Sequence, residues 1–234
     1  MNKTLFISDL HLDPNQPNIT NTFFYFLDHI ARGADALYIL GDFFESYIGD
    51  DDNNEFVKTL MGALKRATGL GLPIFFMHGN RDFLMGKKFE EKTGVTLIPD
   101  PCVVTIYNKK LLLMHGDNLC TDDKSHQRFR KIIRNKIIQT IFLSLPLSFR
   151  QRLATQLRKE SKAYNQEKTA EIMDVNENAV TNALQKNNVT TLIHGHTHRP
   201  MMTEKRIVLG AWHEQGNYVQ INENGDLQFI EIPL

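Results

Sequence analysis

The sequence predicts an α/β fold built on a largely parallel sheet, and two observations carry that prediction. Short apolar runs rich in β-forming residues alternate with longer segments of helical spacing through the first half of the chain. Five such runs are each followed directly by a cluster of Asp, Asn, His and Gly. Open α/β sheets bind ligands at the carboxyl ends of their strands, so the five clusters are expected to share one crevice.

Residues 4–8, 36–40 and 73–77 read as buried strands, being short, apolar and rich in Ile, Phe and Leu. Between them, 21–31 and 56–67 show helical spacing, as in Phe23, Phe26, Leu27 and Ile30. This βαβαβ order predicts parallel strands with right-handed crossovers. Core strands follow at 110–114 and 190–193. The tail strands 207–209, 218–221 and 227–232 are expected to be antiparallel, with 222–225 as a turn.

Residues of about 124–187 read as a helical insertion over the loop edge of the sheet. Phe129, Ile133, Ile137 and Ile141 repeat every four residues, with Arg128, Arg130, Lys131, Arg134 and Lys136 between them. Pro146 is expected to end that helix and Ser148 to cap the next, which carries Leu153 and Leu157 beside Arg150, Arg152 and Arg158. With no repeat, low-complexity tract or Pro/Gly-rich linker, the expectation is a single domain, 1–234, with a helical lid at about 124–187.

The 234 residues are 41% hydrophobic and 23% charged, a globular composition, and no window approaches the roughly 20 apolar residues of a membrane span. Asp9 interrupts the first apolar run where a signal peptide would continue, and Cys102 and Cys120 are too few for a disulfide framework. Both features point to the cytoplasm. The net charge is zero, from 27 basic and 27 acidic residues, but it is segregated. Residues 124–168 hold twelve Lys or Arg and two acids, about +10, leaving about −10 elsewhere. Such a partition predicts an element facing an anionic partner.

The strand-end clusters carry the chemistry. They are Asp9-Leu10-His11, Gly41-Asp42, Gly79-Asn80-Arg81-Asp82, His115-Gly116-Asp117 and Gly195-His196-Thr197-His198. Each alone is weak, since Gly-Asp is often a helix cap and a His pair often sits on a surface. In series they pool Asp9, His11, Asp42, Asn80, His115, His196 and His198, an oxygen and nitrogen set without thiolate, which suits hard to borderline divalent ions. Seven ligands fill two adjacent sites if Asp42, from a central strand, bridges them. Asp9/His11 and His196/His198 are each spaced by two, which in extended chain puts both side chains on one side. His29, His126 and His213 lack such a setting. His78 and His194 are expected in the core, orienting neighbouring ligands. The acidic run Asp50-Asp51-Asp52 reads as a helix cap and solvated loop.

The ordered series resembles the calcineurin-like metallophosphoesterase superfamily from Asp9 to His198. What the resemblance implies is an α/β/β/α sandwich of two mixed sheets with a dinuclear site at one edge. Asp9, His11, Asp42 and His198 would hold one ion, and Asp42, Asn80, His115 and His196 the other. Most relatives carry a His where this chain has Arg81. Arginine binds phosphate bidentately but donates no proton at working pH, so the leaving group should need no acid assistance.

With the strings Gly41-Asp42-Phe43-Phe44-Glu45, Gly79-Asn80-Arg81-Asp82-Phe83-Leu84 and His194 to Pro200, the chain closely resembles the UDP-2,3-diacylglucosamine pyrophosphatases of lipid A synthesis. That resemblance implies cleavage to UMP and 2,3-diacylglucosamine 1-phosphate, by a dimetal-activated hydroxide attacking the uridine-side phosphorus. It implies two Mn²⁺ ions per chain, with catalytic roles for Asp42, Asn80, Arg81 and His115. Substrate contacts would be Asn80, Arg81, Asp123, Ser161, Asn165, Lys168 and His196, with His126 where some relatives have a tyrosine. The basic amphipathic insertion then reads as a lid against an anionic inner-membrane surface, placing the protein peripherally on its cytoplasmic face. Neither a nucleic acid nor an obligate protein partner is expected. Two other readings stay open: a soluble metal-dependent phosphodiesterase or nucleotide pyrophosphatase of other specificity, whose basic insertion attracts a phosphodiester backbone, and a non-catalytic scaffold on the same fold. Seven retained ligands weigh against the scaffold. Dependence on acyl chains separates the two enzymes.

Overall fold

The computed structural model describes residues 2–166, 172, 174–213 and 215–234, the stretch 162–166 by its backbone alone. Two mixed sheets form its centre. The first contains β1 (Lys3–Ile7), β2 (Ala36–Ile39), β3 (Ile74–Met77), β4 (Thr96–Ile98), β10 (Gln215–Asn222) and β11 (Leu227–Pro233), in the order β11-β10-β1-β2-β3-β4. The second contains β5 (Cys102–Ile106), β6 (Lys109–Met114), β7 (Thr191–His194), β8 (Met201–Met202) and β9 (Arg206–Val208), in the order β5-β6-β7-β9-β8. As expected, β1, β2 and β3 are parallel neighbours.

Period-two alternation explains why both faces of each sheet are apolar. In β1, Leu5 and Ile7 face the cluster beneath α1 (Pro17–Tyr25) and α2 (Glu55–Gly69), whereas Phe6 faces the layer between the sheets. In β6, Leu111 and Leu113 enter that inter-sheet layer, while Leu112 and Met114 pack with Val180 and Leu184 of α7 (Glu177–Asn187). The result is the four-layer sandwich.

Several elements differ from the sequence reading. Helix α1 begins at Pro17, where proline's missing N–H costs nothing, and closes with a widened turn over Phe26–Ile30. Three strands and a helix escaped prediction, the two-residue edge strand β8 among them. Strands β4 and β5 are sheet edges, one of three residues and one alternating in exposure. Helix α3 (Lys87–Thr93) buries only Phe89 and Thr93 among charged residues. Strand β9 is not antiparallel to the rest of the tail; it runs parallel to β7 in the second sheet.

The insertion breaks earlier than Pro146. Helix α4 (Lys124–Ile133) ends at Arg134, and Asn135 accepts N–H bonds from Ile137 and Ile138 to start α5 (Lys136–Ser144). Helix α6 (Leu147–Gln166) is opened by the carbonyl of Pro146, which accepts from the N–H groups of Phe149 and Arg150, so Ser148 lies inside it. The acidic run also acts differently. Asn54 caps α2, while Asp50 accepts from the N–H groups of Gly86 and Phe89 at the start of α3.

The charge partition is answered partly from within. Arg130 and Arg134 of α4 pair with Asp117, Arg150 of α6 with Asp51, and Arg158 of α6 with Glu45. Among the described residues, four basic side chains of the insertion thus neutralise carboxylates of the sandwich. No helix among the described residues is long and apolar enough to cross a membrane.

Candidate metal centre

All five strand-end clusters meet at one edge of the sandwich, but not through extended chain. Asp9, His11, Asp42, His196 and His198 all have φ between 48° and 68°. Left-handed backbone is costly for residues with a Cβ and persists only where the surroundings impose it, which is characteristic of functional sites. The two-residue spacing therefore works through kinks. The packing leaves no room for side chains behind the ligands: a Cβ on Gly79 would collide with Asp42, and one on Gly195 with Asp9.

Two groups of donors result. Asp9, His11 and His198 form one, and Asp42, His115 and His196 the other, with ligand atoms in each lying within 4.8 Å of one another. Asp9 Oδ1 faces His198 Nε2 at 3.3 Å and His11 Nε2 at 3.9 Å. Asp42 reaches both groups, with Oδ2 3.8 Å from His11 Nε2 and Oδ1 3.7 Å from His115 Nε2. His115 Nδ1 donates to the Leu40 carbonyl at 2.8 Å, which leaves Nε2 facing Asn80 Oδ1 at 3.0 Å. His196, although only two residues from His198, turns to the other group.

Backbone N–H groups hold the carboxylates. Asp9 Oδ2 accepts from His196 N and from Ser8 Oγ, and Asp42 Oδ1 accepts from Arg81 N. Asp82, wholly buried, accepts from Gly79 N at 2.7 Å and Phe43 N at 2.9 Å, joining the loops after β3 and β2. Burial and the neighbouring Asp42 push its carboxyl up to about 6. Burial alone would raise the Asp9 carboxyl as well, but His198, His115 and His11 together outweigh it and hold it well below the usual range. Burial would lower the His115 imidazole, yet Asp42, Asp117 and Asp9 raise it to about 9. For His196, burial prevails and takes the ring down to about 3.

This donor set fits divalent cations. Two carboxylates, four imidazoles and one amide converge in a largely buried space, where like charges repel and imidazole Nε2 atoms of His11 and His198 sit 3.2 Å apart. Cations between them would relieve both.

Two cavities adjoin the donors. A polar crevice of about 240 Å³ is lined by His11, Asp42, Asn80, Arg81, Asp123, His126, Ser161, His196 and His198, among others. An apolar cavity of about 330 Å³ lies beneath the insertion, walled by Phe83, Leu84, Phe129, Ile133, Ile138 and Leu153 with their neighbours. Asn80, Arg81, His126 and Ser161 line both. Arg81 Nε is buried and has no hydrogen-bond partner among the described residues.

Five of the seven expected substrate contacts therefore meet at the crevice: Asn80, Arg81, Asp123, Ser161 and His196. Asn165 is described by its backbone in α6, and Lys168 lies outside the described residues. His194 is a core residue as expected, whereas His78 is only partly buried; their rings donate to the carbonyls of Gly195 and Met85. Two histidines set aside in the sequence belong here after all. The His126 ring lies 5.4 Å from that of His196, and the His213 ring 6.0 Å from that of His198. The stripe repeating every four residues splits, because the helix breaks within it. Phe129 and Ile133 line the cavity, whereas Ile137 and Ile141 are 71% and 59% exposed.

Sequence reasoning missed Glu45, whose Oε2 lies 2.9 Å from His11 Nδ1. Its only sequence signal is its position three residues after Asp42, and the left-handed turn at Asp42 is what brings it round.

Residues 3–200 match the family described as calcineurin-like phosphoesterase. The UDP-2,3-diacylglucosamine hydrolase of Escherichia coli O127:H6 (strain E2348/69 / EPEC) is 49% identical, over 98% of this chain and 99% of that protein. The hydrolase of the same name from Shigella dysenteriae serotype 1 (strain Sd197) is 48% identical over the same shares. A solved structure reported as a novel archaeal phosphodiesterase is 15% identical, with a TM-score of 0.49 over 98% of this chain and 99% of that one.

Proposed function

The chain belongs to the calcineurin-like phosphoesterase family, and from that premise we propose that it hydrolyses the pyrophosphate bond of UDP-2,3-diacylglucosamine to UMP and 2,3-diacylglucosamine 1-phosphate. The near-full-length likeness to hydrolases of that name supports the substrate. The observation that carries the reading is Asp42 reaching both donor groups on the floor of a polar crevice continuous with an apolar cavity.

Asp9, His11, Asp42 and His198 would hold one divalent cation, and Asp42, Asn80, His115 and His196 the other, with Mn²⁺ as the ion. Such a pair supplies an activated water and stabilises charge on the attacked phosphoryl group. The chain's own residues do the rest. Arg81, with an unsatisfied buried N–H and a place in both cavities, takes the phosphate that leaves and needs no proton from the protein. Asn80 and His196 face the uridine-side phosphoryl group. Asp123, Ser161, Asn165 and Lys168 contact the sugar and nucleotide, with His126 beside them, its ring tilted against that of His196. The apolar cavity takes acyl chain.

The insertion's outer surface supports peripheral attachment to the inner membrane. Ile137 and Ile141 stand out beside exposed Arg128, Lys131, Lys136 and Arg152, a basic amphipathic surface of the kind that lies on anionic lipid.

The test is UMP release from UDP-2,3-diacylglucosamine in Mn²⁺, beside UDP-sugars without acyl chains and a single-stranded nucleic acid. Turnover of the acylated substrate at least tenfold above the others is expected. Equal turnover of all three would assign the protein another specificity. In ¹⁸O-water the label is expected in UMP, and label in the sugar phosphate would reverse the orientation of the substrate.

A further inference from the structure

We infer that Glu45 is a positioning residue for His11 and that Arg158 of the insertion holds Glu45 there, so that the lid sets the strength of one metal site. The inference rests on the dinuclear reading above. His11 presents Nε2 to Asp9, Asp42 and His198, and its other ring nitrogen, Nδ1, is buried and lies 2.9 Å from Glu45 Oε2, at ion-pair distance though off the line of a hydrogen bond. A carboxylate at the second nitrogen of a ligating imidazole fixes which nitrogen carries the proton, orients the ring and raises its basicity.

The backbone delivers Glu45 to this position. His11 N donates to the Asp42 carbonyl, Leu12 N to that of Phe43, and Glu45 N to that of Leu12, which zips the loops after β1 and β2 together. The side chain is then gripped from the insertion. One terminal nitrogen of Arg158 pairs with Glu45 Oε1, and the other donates to the Glu45 carbonyl. Arg158 and Glu45 also line the apolar cavity together. A chain of contacts thus runs from the acyl-binding space, through Arg158 and Glu45, to the ring of His11. Neither Glu45 nor Arg158 belongs to the two donor groups.

The test titrates metal-stripped full-length protein with Mn²⁺ alone, following free ion by electron paramagnetic resonance. Glu45→Gln, which keeps the side chain's shape, should weaken one of two bound ions by about 10- to 100-fold and leave the other as in the parent. Arg158→Ala should weaken the same ion by a smaller factor, and Arg158→Lys should restore part of the loss. The double variant should be no worse than Glu45→Gln alone, because both act along one path. At saturating Mn²⁺, kcat of Glu45→Gln should return toward the parent's. Parental affinity for both ions in a folded Glu45→Gln protein would overturn the inference, as would equal weakening of both. An unchanged titration in Arg158→Ala would sever the link to the lid. None of the titration outcomes depends on the lipid substrate, whose own failure to turn over would instead overturn the proposed function.

Discussion

Arg130 and Asp117 join the insertion to the floor of the metal centre: Nε of the arginine donates to Oδ2 of the fully buried carboxylate at 2.8 Å. Asp117 closes the turn that presents His115, and Arg134, one helical turn on from Arg130, reaches the same oxygen at 3.5 Å. Arg134 also donates to the carbonyl of Gly79, beside Asn80, at 3.0 Å. One face of α4 is therefore bolted to two of the loops that carry the donor residues. The lid is part of the site's scaffold before any substrate arrives.

Removing one bolt should cost stability. Taking a partner from a buried ion pair typically costs 3–5 kcal/mol. Arg134 remains to share Asp117, so Arg130→Gln should cost about 2 kcal/mol, a fall in Tm of about 4–8 °C for a chain of this size. Differential scanning calorimetry checks it. An unchanged Tm would mean that Asp117 gains nothing from the pair.

The insertion's inward and outward apolar residues should separate in experiment. Ala154 lines the cavity, so Ala154→Phe should raise KM for the acylated substrate several-fold while leaving a small phosphodiester unaffected. Ile137 and Ile141 with Lys131 and Lys136 face outward, so their replacement by Ser and Gln should leave KM for detergent-solubilised substrate unchanged. Binding to anionic vesicles should fall about 30-fold from the two lysines alone, at about 1 kcal/mol each, and that part should vanish at high salt. Matching losses from both variants in both assays would mean that the surfaces are one.

The donor residues were legible because their chemistry is local: an Asp, Asn or His directly after an apolar run. How they are presented was not. The left-handed backbone at Asp9, His11, Asp42, His196 and His198 leaves no mark in composition, since it is imposed by loops packing against one another. Glu45 was hidden for the same reason. Strands β1, β2 and β3 of the first sheet were readable because they are apolar on both faces, whereas β4 and β5, at sheet edges, lack the continuous apolar run that marks a buried strand. The basic residues of the insertion were countable, but whether each meets an internal carboxylate or an external anion depends on which way its helix turns.

Asp42→Ala should remove a ligand from both cations at once. Turnover should fall to background and stay there at saturating Mn²⁺, with both ions lost from the Mn²⁺ titration. His29→Ala, on the surface against Tyr25 and far from the donors, should behave as the parent. One retained tight ion in Asp42→Ala would mean that Asp42 serves a single site.

Asp100 offers a test of pH dependence at a residue outside the two donor groups. Its side chain is 5% exposed, neither carboxyl oxygen has a hydrogen-bond partner among the described residues, and the nearest cation, Arg130, stands 3.9 Å away and faces Asp117. Burial, with the charge of Asp117 second, pushes its carboxyl from 3.8 up to about 6. The folded protein therefore keeps a proton that the unfolded chain has released between pH 4 and pH 6. Stability must fall as pH rises through that window, because the native state binds more protons there than the unfolded state. Above pH 6 the whole difference has been lost, about 3 kcal/mol for a shift of about two units. Asp100→Asn cannot ionise and should escape this loss. Its Tm should match the parent's near pH 4 and exceed it by several degrees at pH 7.5, as read by paired melts across pH. A parent that gains stability from pH 4 to pH 7 relative to the Asn variant would show instead that the ionised carboxylate is held by Arg130, with the sign reversed.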